Sequence, residues 1–317
     1  MRVIKVICIY TGRHSIKNII PEFEKSSHYS LVGIHVRSNK TLKLVKNKYS
    51  CKVTTKLDDL ENSINYEMVY ISSPPSLHFS LSKYFLEKNK HVLVEKPAVI
   101  NSNQASRIIN LAKKNKLALM EGFMYRFHRQ FKEILRLLNR ENIKSIDAYF
   151  GFPHLDKNEF RYKRKLGGGA LLDAGCYTIS IIQNIIKDNM RLESYTYKYS
   201  GYEVDIRGVA NFITKNQIKC KAVWYFGGKY KNELKIKTKD KKFFIDRAFS
   251  KPSNLFTNIK IISKDKKIQN ISVSKDNHFE KMILHFYKSI FDTNIRDDEL
   301  ALIKNQSKYI NLLRKKI

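Results

Sequence analysis

The first third of the sequence alternates short, continuously apolar runs with helix-like stretches, and no other feature limits the fold as strongly. The runs lie at residues 3–10, 30–36, 68–72, 91–95 and 117–120. Each is apolar along its whole length, as expected for a strand buried on both faces of a sheet. Helices are predicted between them at 16–23, at 77–89 and around 105–112, the last with Asn101 as N-cap. Strands that alternate with helices form βαβ units, so the sequence predicts an α/β fold whose residues 1–121 form a doubly wound parallel sheet.

After about residue 120 the pattern changes. Helices are predicted at 129–138 and at about 170–186, with a strand near 146–150 between them. Residues 195–275 alternate apolar and polar positions, with polar hairpin tips near 215–216, 239–240 and 264–265. Two helices are predicted to follow, over 279–290 and 302–313. Residues 122–317 are therefore expected to form an α+β domain with an open, mostly antiparallel sheet.

The chain is strongly basic, with 60 Lys and Arg against 29 Asp and Glu and a formal net charge of +31 over 317 residues. The cations are mostly lysines spread along the whole sequence. A nucleic-acid interface instead needs basic residues clustered with arginines or aromatic side chains, so no specific nucleic-acid partner is expected. A positive field does favour acidic small molecules, such as phosphorylated substrates or cofactors.

The four cysteines are scattered at positions 8, 51, 176 and 220. Without short paired spacings they indicate neither a metal site nor a disulfide framework, and a cytoplasmic location is expected. No apolar run approaches the roughly 20 residues of a spanning helix, so no membrane partner is expected either. The apolar run at 3–10 contains Lys5 and precedes no cleavage site, and we interpret it as a strand rather than a signal peptide.

The turn after the first predicted strand reads Tyr10-Thr11-Gly12-Arg13-His14-Ser15. In a dinucleotide-binding sheet this turn brings backbone N–H groups against a pyrophosphate. Of the usual Gly-x-Gly-x-x-Gly pattern only the middle glycine, Gly12, is present. We predict that Gly12, Arg13 and His14 contact a cofactor; an ordinary strand-to-helix turn is the alternative.

Two further strand ends carry candidate cofactor residues. Arg37 and Ser38 follow the second predicted strand, where an acidic residue would bind the ribose of NAD. Because an arginine and a hydroxyl can instead hold a 2′-phosphate, NADP is favoured and NAD remains possible. An exposed strand-end arginine without that function is the alternative.

Ser72, Pro74 and His78 follow the third predicted strand, at an edge where ligands bind in open α/β sheets. All three are predicted to contact the cofactor. The alternative for His78 is a surface position on the next helix, and we favour this alternative for its side chain.

Two motifs suggest reaction chemistry. Glu95-Lys96-Pro97 ends the fourth predicted strand, where a carboxylate and an ammonium group can form a charged site. Glu95 and Lys96 are both predicted to contact the cofactor. The second motif, GGGALLDAGCY at 167–177, gathers three glycines in a chain that has only 12. Such clustering implies close approach of the backbone to another segment or to a ligand. Asp173 and Tyr177 are four residues apart and would share one face of an α-helix. A helix start with a dipole-stabilised aspartate is the alternative.

Taken in order, ISSPPSLH, HVLVEKP, EGFMYRFH and GGGALLDAGCY resemble the Gfo/Idh/MocA family of NAD(P)-dependent oxidoreductases over essentially the whole chain. The stretch 230–252 resembles the nucleotide-sugar 3-ketoreductase branch, and EGFMYRFH and DAGCY are shared with the D-xylose and dihydrodiol dehydrogenase branch. The resemblance implies an N-terminal NAD(P)-binding Rossmann domain. It also implies a C-terminal substrate-binding domain whose open sheet serves dimerisation, so a homodimer or homotetramer is expected.

The resemblance further implies that Lys96, Asp173 and Tyr177 line the site facing the nicotinamide. Tyr177 would give a proton to a developing alkoxide, and a nearby Lys96 cation would lower the phenol's pKa. Asp173 would hold a sugar hydroxyl or orient Lys96. The expected reaction is reduction of a keto group on a nucleotide-linked hexose. The alternatives are a free-sugar or dihydrodiol dehydrogenase of the same fold and an NADP-binding sensor without catalysis.

Overall fold

The computed structural model describes residues 2–316, which form two compact units. The first unit comprises the chain up to Gly122 together with Phe279–Ser307. The second comprises Phe123–His278 and the residues from Lys308 onward. The chain therefore leaves the first unit, builds the second, returns to the first over Phe279–Ser307, and then enters the second again.

The first unit contains a six-stranded sheet in which every pairing is parallel. Its strands are β1 (Ile4–Thr11), β2 (Tyr29–Val36), β3 (Lys52–Thr54), β4 (Met68–Ile71), β5 (His91–Val94) and β6 (Leu119–Glu121). The order is β3-β2-β1-β4-β5-β6, so the direction of winding reverses between β1 and β4. The predicted doubly wound parallel sheet is confirmed. The three-residue strand β3 was not predicted, because it is too short to show a pattern.

Helices connect these strands and cover the sheet. They are α1 (Arg13–Asn18), α2 (Ile20–Lys25), α3 (Asn39–Val45), α4 (Leu57–Glu61), α5 (Pro75–Glu87) and α6 (Ser102–Lys114). The single helix predicted at 16–23 is wrong: the chain forms two helices that meet at Ile19, with Pro21 in the first turn of α2. Proline suits a first turn but interrupts a helix interior, which explains the division. Asn101 caps α6 as predicted, accepting a hydrogen bond from the Gln104 N–H at 2.9 Å.

The second unit contains an eight-stranded sheet. Its strands are β7 (Ile143–Phe152), β8 (Met190–Lys198), β9 (Arg207–Thr214), β10 (Lys219–Phe226), β11 (Lys231–Thr238), β12 (Lys241–Asp246), β13 (Thr257–Ser263) and β14 (Ile268–Val273). The order is β14-β13-β12-β11-β7-β10-β9-β8. The β7–β10 pair is parallel and the other pairs are antiparallel, so the predicted mostly antiparallel sheet is confirmed.

Two helices of the second unit flank β7 in the sequence: α7 (Arg129–Leu138) precedes it, and α8 (Cys176–Ile186) lies between β7 and β8. A π-helical turn, Leu171–Gly175, leads directly into α8. By length and composition Arg164–Ile186 could cross a membrane, contrary to the expectation that no such stretch exists. However, 72% of its most apolar 18 residues are buried inside the structure. That degree of burial is typical of a core helix in a folded domain.

The chain ends with helices α9 (His278–Phe291) and α10 (Thr293–Arg314). The sequence assigns all of 122–317 to the second domain, whereas the structure groups Phe279–Ser307 with the first unit. The reason is apolar burial: Leu300 and Ile303 join the hydrophobic core formed by strands and helices of the first unit. In addition, the Tyr29 hydroxyl donates a 2.8 Å hydrogen bond to the Ile283 carbonyl of α9.

Candidate active site

The carboxyl ends of β1, β2, β4 and β5 meet at one edge of the parallel sheet in the first unit. Parallel strands end on the same side, so this edge collects the predicted cofactor residues from four separate stretches of sequence. The Ser72 N–H donates to the Ile9 carbonyl at 3.2 Å, and its hydroxyl donates to the Ser15 hydroxyl at 3.1 Å. These contacts join the loop after β4 to the turn after β1, at the point where the winding reverses.

Tyr10 occupies the position of the first glycine in the usual dinucleotide turn, and its backbone explains why glycine is common there. Its φ is 55°, in the left-handed region that glycine enters without penalty. The Tyr10 N–H donates to Nδ1 of His35 at 3.2 Å, and the two rings meet edge to face at 4.8 Å. Burial lowers the pKa of His35, consistent with an Nδ1 that accepts. The turn thus keeps the expected shape with tyrosine in it.

Gly12 lies at the start of α1 with free space around it. A Cβ built on Gly12 would meet no atom within 4 Å. Its N–H donates to the Ser15 hydroxyl at 3.0 Å. Arg13 and His14, the next two residues, are exposed. The turn therefore leaves open space beside the Gly12 backbone, the place where a dinucleotide turn brings its backbone against a pyrophosphate.

Arg37 and Ser38 lie just beyond β2, and both are exposed. Ser38 is the N-cap of α3, and its hydroxyl accepts from the Thr41 N–H at 3.2 Å. The Ser38 and Thr41 hydroxyls are 2.9 Å apart. Because His35–Ser38 contains no acidic residue, the strand end keeps the positive character that favours a phosphate.

His78 differs from the sequence interpretation. As a surface residue it would be exposed, yet it is 1% exposed and belongs to α5. Its Nδ1 lies 2.7 Å from the Pro97 carbonyl and its Nε2 lies 2.8 Å from the Ser73 carbonyl. The surface interpretation is therefore wrong, and with both nitrogens facing backbone carbonyls the ring does not support the predicted cofactor contact. His78 instead joins the loop after β4 to the loop after β5.

Glu95 and Lys96 follow β5 and are both half-buried. The Tyr70 hydroxyl donates to Glu95 Oε1 at 2.7 Å, and His14 Nε2 lies 4.0 Å from the same oxygen. The Lys96–Pro97 peptide bond is cis. Since Pro97 is also the residue held by His78, the segment carrying Lys96 is attached to the sheet edge on both sides.

In the second unit, Tyr177 is buried among aromatic rings at the start of α8. Its side chain is 6% exposed, and its hydroxyl donates to the Met124 sulfur at 3.3 Å. Four ring centroids lie between 5.2 and 6.3 Å from its own, those of Phe123, Tyr125, Phe150 and Phe249. The phenol therefore sits in a largely apolar enclosure, where nearby charges act strongly on its ionisation.

Asp173 precedes Tyr177 on the π-helical turn Leu171–Gly175, not on a regular α-helix as predicted. Its Oδ2 accepts a 2.7 Å hydrogen bond from Nε of Arg161, which the sequence did not single out. The two side chains are 14% and 30% exposed, so this is a partly desolvated ion pair. No spacing pattern in the sequence connects Arg161 to the glycine-rich motif.

The glycine cluster is explained by other chain segments. A Cβ on Gly168 would lie 2.5 Å from the Arg161 carbonyl oxygen, and one on Gly169 would lie 2.5 Å from Oδ1 of Asp205. A Cβ on Gly175 would lie 2.8 Å from the Trp224 indole. Of the two predicted reasons for the cluster, close approach to neighbouring segments is confirmed.

Asp205 is a second residue that sequence reasoning missed. It is 5% exposed, and its Oδ2 accepts from the Leu171 N–H at 2.8 Å and from the Trp224 indole at 3.3 Å. Burial raises the pKa of Asp205 to about 6. Its backbone carbonyl also accepts from the Ala170 N–H at 2.8 Å. Asp205 thereby fixes the first residues of the π-helical turn that carries Asp173.

Comparison with known proteins agrees with this architecture. Residues 4–123 match the GFO_IDH_MocA oxidoreductase family, described as an NAD-binding Rossmann fold. The match covers all six strands of the parallel sheet in the first unit. The recognition made from its motifs is thereby confirmed.

Relatives of known activity include sugar and diol oxidoreductases. A dTDP-3,4-didehydro-2,6-dideoxy-alpha-D-glucose 3-reductase from Saccharopolyspora spinosa is 25% identical over 261 residues, 80% of this chain and 78% of that protein. A trans-1,2-dihydrobenzene-1,2-diol dehydrogenase from Xenopus tropicalis is 29% identical over 62% of this chain and 60% of its own. Both branches indicated by the sequence motifs are therefore represented.

Solved structures show the same fold over the whole chain. A 3-ketoreductase from Actinomadura kijaniata, in complex with NADP and TDP-benzene, superposes with a TM-score of 0.94 at 21% identity and covers 99% of this chain and 98% of its own. An aldose-aldose oxidoreductase from Caulobacter crescentus gives 0.88 at 18% identity, with 99% and 97% coverage.

Proposed function

We propose that this protein is an NADP-dependent oxidoreductase that reduces a keto group of a nucleotide-linked hexose. The observation that carries the proposal is the match to a dTDP-sugar 3-reductase over four-fifths of the chain. The strongly positive chain suits a substrate that carries a diphosphate.

The sheet edge of the first unit fits the cofactor. Gly12 has open space where a pyrophosphate approaches the backbone, flanked by Arg13 and His14. Arg37 and Ser38 would hold the 2′-phosphate. Ser72, Pro74 and Glu95 would line the same edge, as expected for the point where the winding reverses. When bound, reduced NADP supplies the hydride.

Tyr177 would donate its phenolic proton to the carbonyl oxygen of the substrate as negative charge develops there. A phenol's usual pKa of about 10 must fall for efficient donation near neutrality, and the Lys96 ammonium would lower it. Lys96 would also hydrogen-bond the substrate oxygen. Asp173 would hold a sugar hydroxyl or orient Lys96.

A second candidate is a dehydrogenase of free sugars or dihydrodiols, which the 29% identity with the Xenopus diol dehydrogenase favours. A panel of a TDP-linked 3-ketohexose, free aldoses and a trans-dihydrodiol, tested with NADPH, NADH and their oxidised forms, separates the two. Turnover confined to the TDP-linked ketone supports the proposal. Turnover confined to the free sugar or diol overturns the substrate assignment, and tight NADPH binding without any turnover favours a sensor.

The mechanism is tested by Tyr177→Phe. We expect turnover to fall by about 10²- to 10⁴-fold, as for loss of a general acid, while NADPH affinity measured by fluorescence is unchanged. The matched control is Tyr225→Phe, which removes a half-exposed hydroxyl that donates to the Lys229 carbonyl in the same unit. Near-normal turnover of the Tyr177 variant would remove Tyr177 from the mechanism.

Lys96 and Tyr177 are proposed to act on the same substrate oxygen. A double variant, Lys96→Ala with Tyr177→Phe, should therefore be about as slow as the slower single variant, because residues that act as a unit are not additive. Fully multiplicative losses would show that the two residues serve separate steps.

We also propose a cytoplasmic homodimer or homotetramer assembled through the open sheet of the second unit. Light scattering coupled to size exclusion tests the assembly, and a monomer at micromolar concentration would contradict it.

A further inference from the structure

We propose that Arg161 is a positioning residue, which fixes Asp173 beside Tyr177 and supplies part of the positive field that acts on the phenol. This inference rests on the proposed function, and it assigns to the second unit a cation that lowers the pKa of the proton donor Tyr177. Lys96 would then share this task instead of performing it alone.

Arg161 holds the turn before α8 at two points. Its Nε donates to Asp173 Oδ2 at 2.7 Å, and its backbone carbonyl accepts from the Gly169 N–H at 2.8 Å. The Asp173 N–H in turn donates to the Gly169 carbonyl at 3.1 Å. One residue therefore fixes both the start of the turn and the carboxylate that projects from it.

The guanidinium has little freedom to move. Besides Asp173, its Nη1 contacts Glu159 at 3.3 Å, and its central carbon lies 4.7 Å from the centroid of the Phe160 ring. Arginine presents donors in a rigid planar arrangement, so engagement on several sides fixes its orientation. Gly168 leaves no space for a side chain against the Arg161 carbonyl, which keeps the segment close to the turn.

Charge coupling connects this cluster to the phenol. Asp173 contributes most to a raised pKa of Arg161, and Glu159 and Tyr177 raise that pKa further. Coupling between two charges is mutual, so the Arg161 cation lowers the pKa of Tyr177. The Asp173 carboxylate, four residues before Tyr177, opposes ionisation of the phenol, whereas Arg161 favours it. The Tyr125 ring lies 6.3 Å away between centroids.

The consequence is a defined change in pH dependence. Removing the Arg161 charge takes a cation away from both Asp173 and Tyr177, and this raises the pKa of Tyr177. In the direction of alcohol oxidation the phenolate accepts the proton, so kcat/KM rises with pH through this pKa. Arg161→Gln should therefore move the rising limb of the profile upward by about one pH unit, which is a loss of about tenfold at a pH below the limb.

The experiment compares kcat/KM–pH profiles of the full-length wild type with those of Arg161→Gln, Arg161→Lys and Glu159→Gln. Arg161→Lys keeps the charge and should move the limb less than Arg161→Gln does. Glu159→Gln removes an anion beside Arg161 and should move it downward by a few tenths of a pH unit. Arg136→Gln is the matched control, because it removes a surface arginine paired with Glu133 in the same unit.

NADPH affinity should be unchanged in all four variants. Slower turnover of Arg161→Gln with an unmoved limb would show a merely structural role and overturn the inference. If that variant does not fold, the half-exposed Glu159→Gln decides, and an unmoved or upward-moving limb refutes the proposal. Tyr177→Phe distinguishes failure of the Arg161 inference from failure of the proposed role of Tyr177. If Tyr177→Phe abolishes the rising limb while the Arg161 variants leave it unmoved, only the Arg161 inference fails. If Tyr177→Phe leaves both turnover and the limb intact, the proposed function of Tyr177 fails.

Discussion

Replacing Gly12 by alanine tests whether glycine at this position is required by a bound ligand or by the fold. Gly12 has φ −116° and ψ −174°, an extended conformation open to any residue, and a Cβ there meets no atom within 4 Å. Alanine also reduces the freedom of the unfolded chain, so the free energy of unfolding should stay constant or rise by about 0.4–1 kcal/mol.

NADPH binding should respond in the opposite way. If the pyrophosphate lies against the backbone at Gly12, the added methyl group occupies space that the ligand needs. Overpacking by one carbon typically costs about 1–3 kcal/mol, which corresponds to roughly a 5- to 150-fold weaker Kd. Fluorescence titration with NADPH measures the affinity, and urea unfolding measures the stability.

Gly168→Ala is the contrasting control. Its Cβ would lie 2.5 Å from the Arg161 carbonyl oxygen, so the backbone must move, and we expect a loss of about 1–3 kcal/mol in stability with nearly unchanged NADPH affinity. Wild-type NADPH affinity in Gly12→Ala would show that the cofactor does not approach this turn. A loss of stability in that variant would refute the open-space argument itself.

Three further outcomes are expected. Lys96→Ala should reduce turnover at least as much as Tyr177→Phe, because it removes a charge from a half-buried position, and unchanged steady-state rates would exclude Lys96. His78→Phe removes the imidazole that faces the carbonyls of Ser73 and Pro97, so urea unfolding should show a loss of about 1–3 kcal/mol and turnover should fall more than NADPH affinity; intact stability would contradict the contacts. Burial raises the pKa of Asp205 to about 6 from near 4, so the folded state binds this proton more tightly. The free energy of unfolding should therefore fall by up to roughly 3 kcal/mol as pH rises from about 4 to about 6. Asp205→Asn should reduce this dependence on pH. An equal dependence in both proteins would refute the assignment of the raised pKa to Asp205.

The sequence by itself determined the elements whose signals are local. Continuous apolar runs predict strands buried on both faces, and five of the six strands of the parallel sheet follow from them. Alternating residues and polar tips predict the antiparallel strands in the same way. The order of the motifs indicated the resemblance to the oxidoreductase family that residues 4–123 match, because those residues follow one another along the chain. Short elements such as β3, α3 and α4 were not predicted, since three to seven residues are too few to show a periodic pattern.

Tertiary structure alone decided which distant residues act on one another. Arg161 and Asp205 lie 12 residues before and 32 residues after Asp173, and no spacing rule connects them, yet both fix the turn on which Asp173 stands. His78, predicted to lie on the surface, is buried and joins the loop after β4 to the loop after β5. The sequence also did not predict the return of Phe279–Ser307 to the first unit. The sequence of an amphipathic helix shows that the helix has an apolar face, but it does not show which core will cover that face.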